Sequence, residues 1–194
     1  MKKLLLSLAL ATVAPLALVA TPVAAQTLPP AVIVIVNLEQ VYQDSAAGKT
    51  AQTELKTRLD AIQARLASLR TSFGAEEQAL AKSQPAQTAT PAVITAWQTK
   101  AKDYQTRKTQ AEAELQKRDQ DFQASRQYVL KQINDGAQPI ITQIMKERGA
   151  SIALIEGATL QHSASIDITT DVVARLDKSL PRVSSTAPAA PAAK

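Results

Sequence analysis

Residues 51–80 read AQTELKTRLDAIQARLASLRTSFGAEEQAL, and this stretch decides the fold. Leu55, Leu59, Ile62, Leu66, Leu69 and Phe73 follow one another at alternating steps of four and three residues. That period of 3.5 is a heptad seam, and it calls for a partner helix. The residues between are mostly Lys, Arg, Glu, Asp, Gln and Thr, which solvate the other faces. Gly74 and Glu76 loosen the seam before Leu80. A helix from Ser45 to Lys82 would be about 57 Å long at 1.5 Å per residue, more than a globular domain of this size needs.

The partner follows in the same chain. Pro85 blocks helix continuation, and Thr90 before Pro91 reads as a cap with proline at the first helical position. Residues 83–91 are therefore a hairpin tip, and a second helix returns antiparallel from Pro91 to about Arg148. Its seam is weaker: Trp97, Ala101, Tyr104, Ala111, Leu115, Phe122, then Val129, Ile133, Ile140 and Ile144, with Lys108 and Arg118 where apolar residues are preferred. Pro139 is expected to kink or break it. Gly149 ends it, with Lys146 and Arg148 in the last turn. The returning helix exceeds the outgoing one. Either Pro139 re-aims its base, or a short helix at 38–43 pairs with it.

Outside the arm the pattern changes. Val32 to Val36 is an unbroken β-branched run, suited to a strand buried on both faces. Asp44 or Ser45 is a plausible cap for the first long helix. Ser151–Ile155 and Thr159–His162, separated by Glu156-Gly157-Ala158, read as a short hairpin with glycine at the turn. Asp167 caps a last helix with Ile168, Val172, Val173, Leu176 and Leu180 on one stripe. Residues 181–194, rich in Pro, Ser, Thr and Ala, are expected to be a disordered tail.

Ahead of all this, residues 1–25 read as a secretory signal of bacterial type. Lys2 and Lys3 open it, Leu4 to Val19 is apolar, and Val23-Ala24-Ala25 is a small-residue cleavage site. Cleavage after Ala25 implies the periplasm, and the absence of cysteine fits that compartment. Removing Lys2 and Lys3 from the 22 basic residues leaves 20 against 17 acidic, about +3. So mild a balance argues against a nucleic-acid binder.

The 194 residues are 45% hydrophobic but only 3% aromatic, with five glycines. Between residues 31 and 180 the only prolines are Pro85, Pro91 and Pro139. Such composition excludes a large aromatic-rich core and a many-stranded barrel within one chain. The fold class is α+β and mostly helical: a long antiparallel helical-hairpin (coiled-coil) arm, 45–148, inserted between short strands. The strands belong to a body formed by 26–44 and 149–180. Three short strands leave open edges. Copies of the chain are expected to pool them into an intersubunit β-barrel, with Val32, Val34, Val36, Ile152, Leu154 and Leu160 on the oligomerisation strands.

No catalytic constellation is legible. His162 is the only histidine and has no cysteine or second histidine to share a metal. Phosphate-cradling glycine loops and nucleophile elbows are absent, and the paired acids Glu76-Glu77 and Asp119/Asp121 read as solvated helix faces. The chain is therefore expected to be no enzyme and to need no cofactor or metal. Lys100, Lys102, Arg107 and Lys108 form a basic cluster near the arm tip, which could be a solvated face or a steering patch for acidic clients or anionic lipid headgroups. Trp97 and Tyr104 beside it fit seam packing better than an amphipathic contact.

The order of elements resembles the OmpH/Skp family of periplasmic chaperones. The likeness rests on Ala31-Val-Ile-Val-Ile-Val-Asn37, on Ile152-Ala-Leu-Ile-Glu-Gly-Ala158 and on Ser165-Ile-Asp-Ile-Thr-Thr-Asp-Val-Val173. Its most specific piece is the Asp-Ile-Thr-x-Asp-Val phrase at Asp167–Val172. The resemblance implies a homotrimer with three arms around a cavity. It also implies an ATP-independent holdase whose partners are unfolded outer-membrane proteins. The principal rival is a structural envelope adaptor that uses the hairpin to bridge partners. Such adaptors usually carry larger β-rich flanking domains than this chain offers.

Overall fold

The structure is a computed structural model and describes residues 30–188. The expected signal segment, 1–25, lies outside the described residues. From Ala31 onward the elements are β1 (Ile33–Val36), α1 (Leu38–Asp44), α2 (Ala46–Lys82), α3 (Pro91–Arg148), β2 (Ile152–Ile155) and α4 (Thr169–Ser179). Among the described residues no helix is long and apolar enough to cross a membrane.

The arm is a helical hairpin of 37 and 58 residues. Ser45, rather than Asp44, caps α2: its Oγ accepts from the Gly48 N–H at 3.1 Å. Pro91 opens α3 after Thr90. Gly149 closes α3 in the left-handed region (φ 64°), and the Ala150 N–H donates to the Met145 carbonyl at 2.8 Å, satisfying an orphan carbonyl of the last turn. The helix runs unbroken through Pro139. The greater length of α3 is accounted for by the elements that cover its base: α1 packs there, and so does α4. Asn37 caps α1 through its Oδ1, which accepts from the Gln40 N–H at 2.8 Å.

β1 and β2 pair in parallel, Ile33 opposite Ile152 and Val36 opposite Ile155. A parallel pair needs a crossover, and here the entire arm serves as that crossover. On its other side β1 bridges to Asp167, and the Ile168 N–H donates to the Ile35 carbonyl at 2.9 Å. Bonded on both edges and covered on both faces, Val34, Ile35 and Val36 are buried, as the β-branched run predicts.

The hairpin expected at 151–162 is absent, a correction to the strand count: the described residues hold two strands. Glu156–Ala158 forms a 3-10 turn, closed by the Thr159 N–H on the Glu156 carbonyl at 2.9 Å. Beyond it Thr159–His162 is irregular, and Leu160 is fully exposed. Thr-Leu-Gln-His offers β2 one large apolar side chain, whereas Ile33–Val36 offers four, so pairing with β1 buries more apolar area.

The core lies where α1, the roots of α2 and α3, β1 and α4 meet. Val41, Val129, Ala137, Ile168, Val172 and Leu176 are fully buried there. The N-cap of α4 is Ile168, one residue later than expected, and it makes no side-chain cap bond; Asp167 still serves the helix start, its Oδ1 accepting from the Thr169 N–H at 2.8 Å. Gly136 allows α4 to seat closely, since a Cβ at that position would lie 2.8 Å from Leu180 Cδ2.

The expectation of a disordered tail over 181–194 fails for its described part. Residues 181–188 lie along the root of the arm. The Ser184 N–H donates to Gln132 Oε1 at 3.0 Å and Arg58 Nη1 donates to the Ser185 carbonyl at 2.8 Å. Low hydrophobicity argued for disorder, but these residues are held by polar side chains of α2 and α3 that the tail's own composition does not reveal.

Candidate functional site

Two surfaces are open to partners: the length of the arm and the exposed edge of the small sheet. The two helices of the arm leave their heptad seam partly open. Leu55 and Leu69 are buried, but Ile62, Leu66 and Phe73 are half-buried, and Leu59 is 37% exposed. On α3, Tyr104 and Ala111 are buried, while Leu115 and Phe122 are half-buried. A hollow of about 290 Å³ lies between the helices, lined by Leu66, Leu69, Phe73, Tyr104 and Leu115 among others. Val93 near the tip is 53% exposed.

Charge along the arm is paired rather than accumulated. Arg107 grips Glu76 with both guanidinium nitrogens, Nη1 to Oε2 at 3.0 Å. That hydrogen bonding holds the Glu76 carboxyl below the usual carboxylate range. Arg65 and Arg118 both bond Glu114 and likewise lower it. Exposed pairs of this kind add little stability.

This pairing splits the basic cluster. Lys100 and Lys102 are solvated and make no ion pair among the described residues. Arg107 is committed to Glu76. Lys108 is half-buried with its Nζ 5.9 Å from the Tyr104 ring centroid, a cation–π distance. Lys100 and Arg107 share a hollow with Glu76 and Asp103, so the field there is mixed in sign. Tyr104 meets Phe73 edge to face at 5.7 Å, and the Trp97 indole N–H donates to the Leu80 carbonyl at 3.1 Å. Both aromatics serve the seam.

The second surface is at the sheet. Ile152 is 41% exposed and Ile155 54%, and among the described residues β2 has no partner on its outer edge. Leu154 is half-buried. Val34 and Val36 lie inward, whereas Val32, just before β1, is exposed and its carbonyl accepts from the Ser151 N–H at 2.9 Å. Leu160 belongs to no strand, yet it presents its whole side chain close by in sequence to this edge.

His162 is tied to the loop. Its Nε2 lies 3.2 Å from Glu156 Oε1 and its Nδ1 3.3 Å from the Ser163 carbonyl. The Glu156 carboxylate, then that carbonyl, raise its pKa above the ordinary value. Glu156 also accepts from the Asn37 side-chain amide, which links the loop to the start of α1. Among the described residues no cluster of His, Cys, Asp and Glu could hold a metal.

This geometry, a charged hairpin arm rooted in a small half-open body, defines a class. The model of the family "Outer membrane protein (OmpH-like)" matches residues 32–176, and the chain belongs to that family. Its fold is shared by a candidate outer membrane chaperone (OmpH-like) from Caulobacter crescentus CB15, known from a crystal structure. The two chains are 24% identical with a TM-score of 0.67, over 81% of this chain and 92% of the other. No curated protein sequence matches the chain.

Proposed function

We propose that the protein is an ATP-independent periplasmic holdase that shelters unfolded outer-membrane proteins between flexible arms. The observation that carries this reading is the seam left half open along the arm, with Leu59, Ile62, Leu66, Leu115 and Phe122 only partly covered. Such a surface offers many weak apolar contacts and no single anchoring pocket. Affinity then comes from multivalency, which suits clients of unrelated sequence. Family membership supports the reading, as does the likeness to a candidate chaperone.

Copies of the chain supply the other arms. The open β2 edge, with Ile152 and Ile155 exposed, is the kind of edge that soluble proteins cover. Joining these edges into a closed intersubunit barrel makes residues 26–44 and 149–180 an oligomerisation body and 45–148 a projecting arm. The family resemblance favours three copies. Lys100 and Lys102 near the tip steer acidic segments or anionic lipid headgroups, an attraction that weakens with salt. No nucleic-acid role, cofactor or enzymatic step enters the proposal. The test is to dilute a urea-unfolded porin with and without excess protein and follow turbidity. Suppressed aggregation supports the holdase, and unchanged aggregation at excess protein removes it.

A further inference from the structure

We propose that the root of the arm is a binding groove for irregular polypeptide, filled in this structure by the chain's own residues 181–188. The segment lies beyond the family match, which ends at residue 176. What distinguishes the groove is what it reads. Gln132 turns its side-chain amide into a rung of a β-ladder: its Nε2 donates to the Ser184 carbonyl at 2.9 Å and its Oε1 accepts from the Ser184 N–H at 3.0 Å. Arg58 Nη1 donates to the Ser185 carbonyl at 2.8 Å, and Ser125 Oγ accepts from the Ala187 N–H at 3.5 Å. Four backbone groups of the segment are thus met by side chains of two helices, while the segment bends at Ser185 and Thr186, where Ser184 Oγ accepts from the Thr186 N–H at 3.2 Å and donates to the Thr186 carbonyl at 3.0 Å. Every polypeptide carries these backbone groups, so this part of the recognition is independent of sequence.

On the segment's side the side-chain contacts are small hydroxyl and apolar groups and one cation, Arg182, whose Nη2 lies 3.5 Å from Glu54 Oε1. Ser185 is buried, donating its hydroxyl to Glu54 and accepting from Arg58 Nη2 at 3.2 Å. Val183 packs against the core. Arg58 also reaches Ser125 Oγ at 3.3 Å, so one guanidinium joins α2, α3 and the segment. A ligand that replaces the segment would turn as the segment does at Ser185 and Thr186, carry short hydroxyl or apolar side chains beside a basic one facing Glu54, and have free backbone N–H groups. A Ser- and Thr-rich segment of an unfolded outer-membrane protein has this chemistry. Residues 181–188 then act in cis as a stand-in, released when a client segment takes their place. That client step rests on the holdase reading; the peptide groove does not.

A chain ending at Leu180 leaves the groove open to a fluorescent peptide of residues 181–188. A short tether supplies an effective concentration in the millimolar range, so a peptide of roughly 100 µM affinity should bind the full chain about tenfold more weakly than the shortened one. N-methylation of the peptide at Ser184 should abolish binding, whereas Ser184→Ala in the peptide should change it less than about threefold. Equal binding to both chains, or no binding to a shortened chain of unchanged helicity, overturns the groove. Should the shortened chain fail to fold, amide exchange at Ser184 in the full chain decides: it should quicken several-fold when unfolded porin is added, and unchanged exchange in a chain that does suppress porin aggregation overturns the displacement. Failure to suppress aggregation, with peptide binding intact, counts against the holdase and leaves the groove standing.

Discussion

Replacing Gly48 with alanine tests the packing of the body at its tightest point. A Cβ on Gly48 would lie 1.7 Å from the Tyr42 carbonyl oxygen and 3.0 Å from Ser45 Oγ. A carbon–oxygen contact needs about 3.3 Å, so α1 and α2 would have to part by about 1.5 Å. Neither side yields cheaply, because the obstacle is backbone, and Val41, Ser45 and Ala47 around it are fully buried. Uncovering Val41 costs about 1.5–3 kcal/mol. Weakening the Ser45 cap adds about 1 kcal/mol. The helical preference for alanine returns at most about 1 kcal/mol. The expected net loss is about 2–3 kcal/mol, which lowers the urea midpoint by roughly 1–2 M, read by circular dichroism at 222 nm. The same substitution at Gly74, inside α2 with nothing within 4 Å of the added Cβ, should add up to about 1 kcal/mol of stability and raise the midpoint accordingly. A Gly48→Ala chain as stable as the parent would refute the close-approach reasoning.

Other outcomes follow from the same geometry. Val129, fully buried at the arm root, should cost about 2 kcal/mol when cut to alanine, measured by the same unfolding curve. Hydrogen bonding from Arg175 holds Glu147 at about 2, against 4.5 for a free carboxyl; this contribution is complete above pH 4.5 and is lost as pH falls toward 2. Glu147→Gln should therefore flatten the acid limb of a midpoint-against-pH plot in that window. For His162 the sign is opposite: its raised pKa stabilises below pH 6.5, and the contribution disappears as pH rises through the folded value, so His162→Gln should remove a slope on that side. Ile152→Asp with Ile155→Asp puts charge on the open β2 edge and should reduce the mass by light scattering to that of one chain; an unchanged mass would place the subunit contact elsewhere.

The arm is the part of the molecule that local pattern specifies. Steps of four and three from Leu55 to Phe73, Pro85 at the turn and Gly149 at the end place both helices to within a residue or two, because each signal acts on its neighbours along the chain. The sheet is different. Ile152–Ile155 carries a strand signal, but nothing in it says that the partner is Ile33–Val36 rather than the nearer Thr159–His162. Nearness favours the hairpin, while buried area favours the distant β-branched run, and area prevails. The docking of 181–188 is illegible for a related reason: it depends on Glu54, Arg58, Ser125 and Gln132, which read as ordinary solvated positions until two helices bring them to one face. Likewise four cations close in sequence look like a patch, and only the hairpin register shows that Arg107 already belongs to Glu76.

The parallel pairing of β1 with β2 also orders events in time. β1 is made and finished long before its partner exists, with the whole of α2 and α3 still to come. Contacts so distant in sequence form late, since the entropy of closing so large a loop is recovered only once the hairpin has shortened it. The rods therefore zip from their turn downward while Ile33–Val36 stays uncovered, a sticky apolar segment awaiting its mate. Until that late closure, the nascent molecule is itself in the condition of the chains it is proposed to guard.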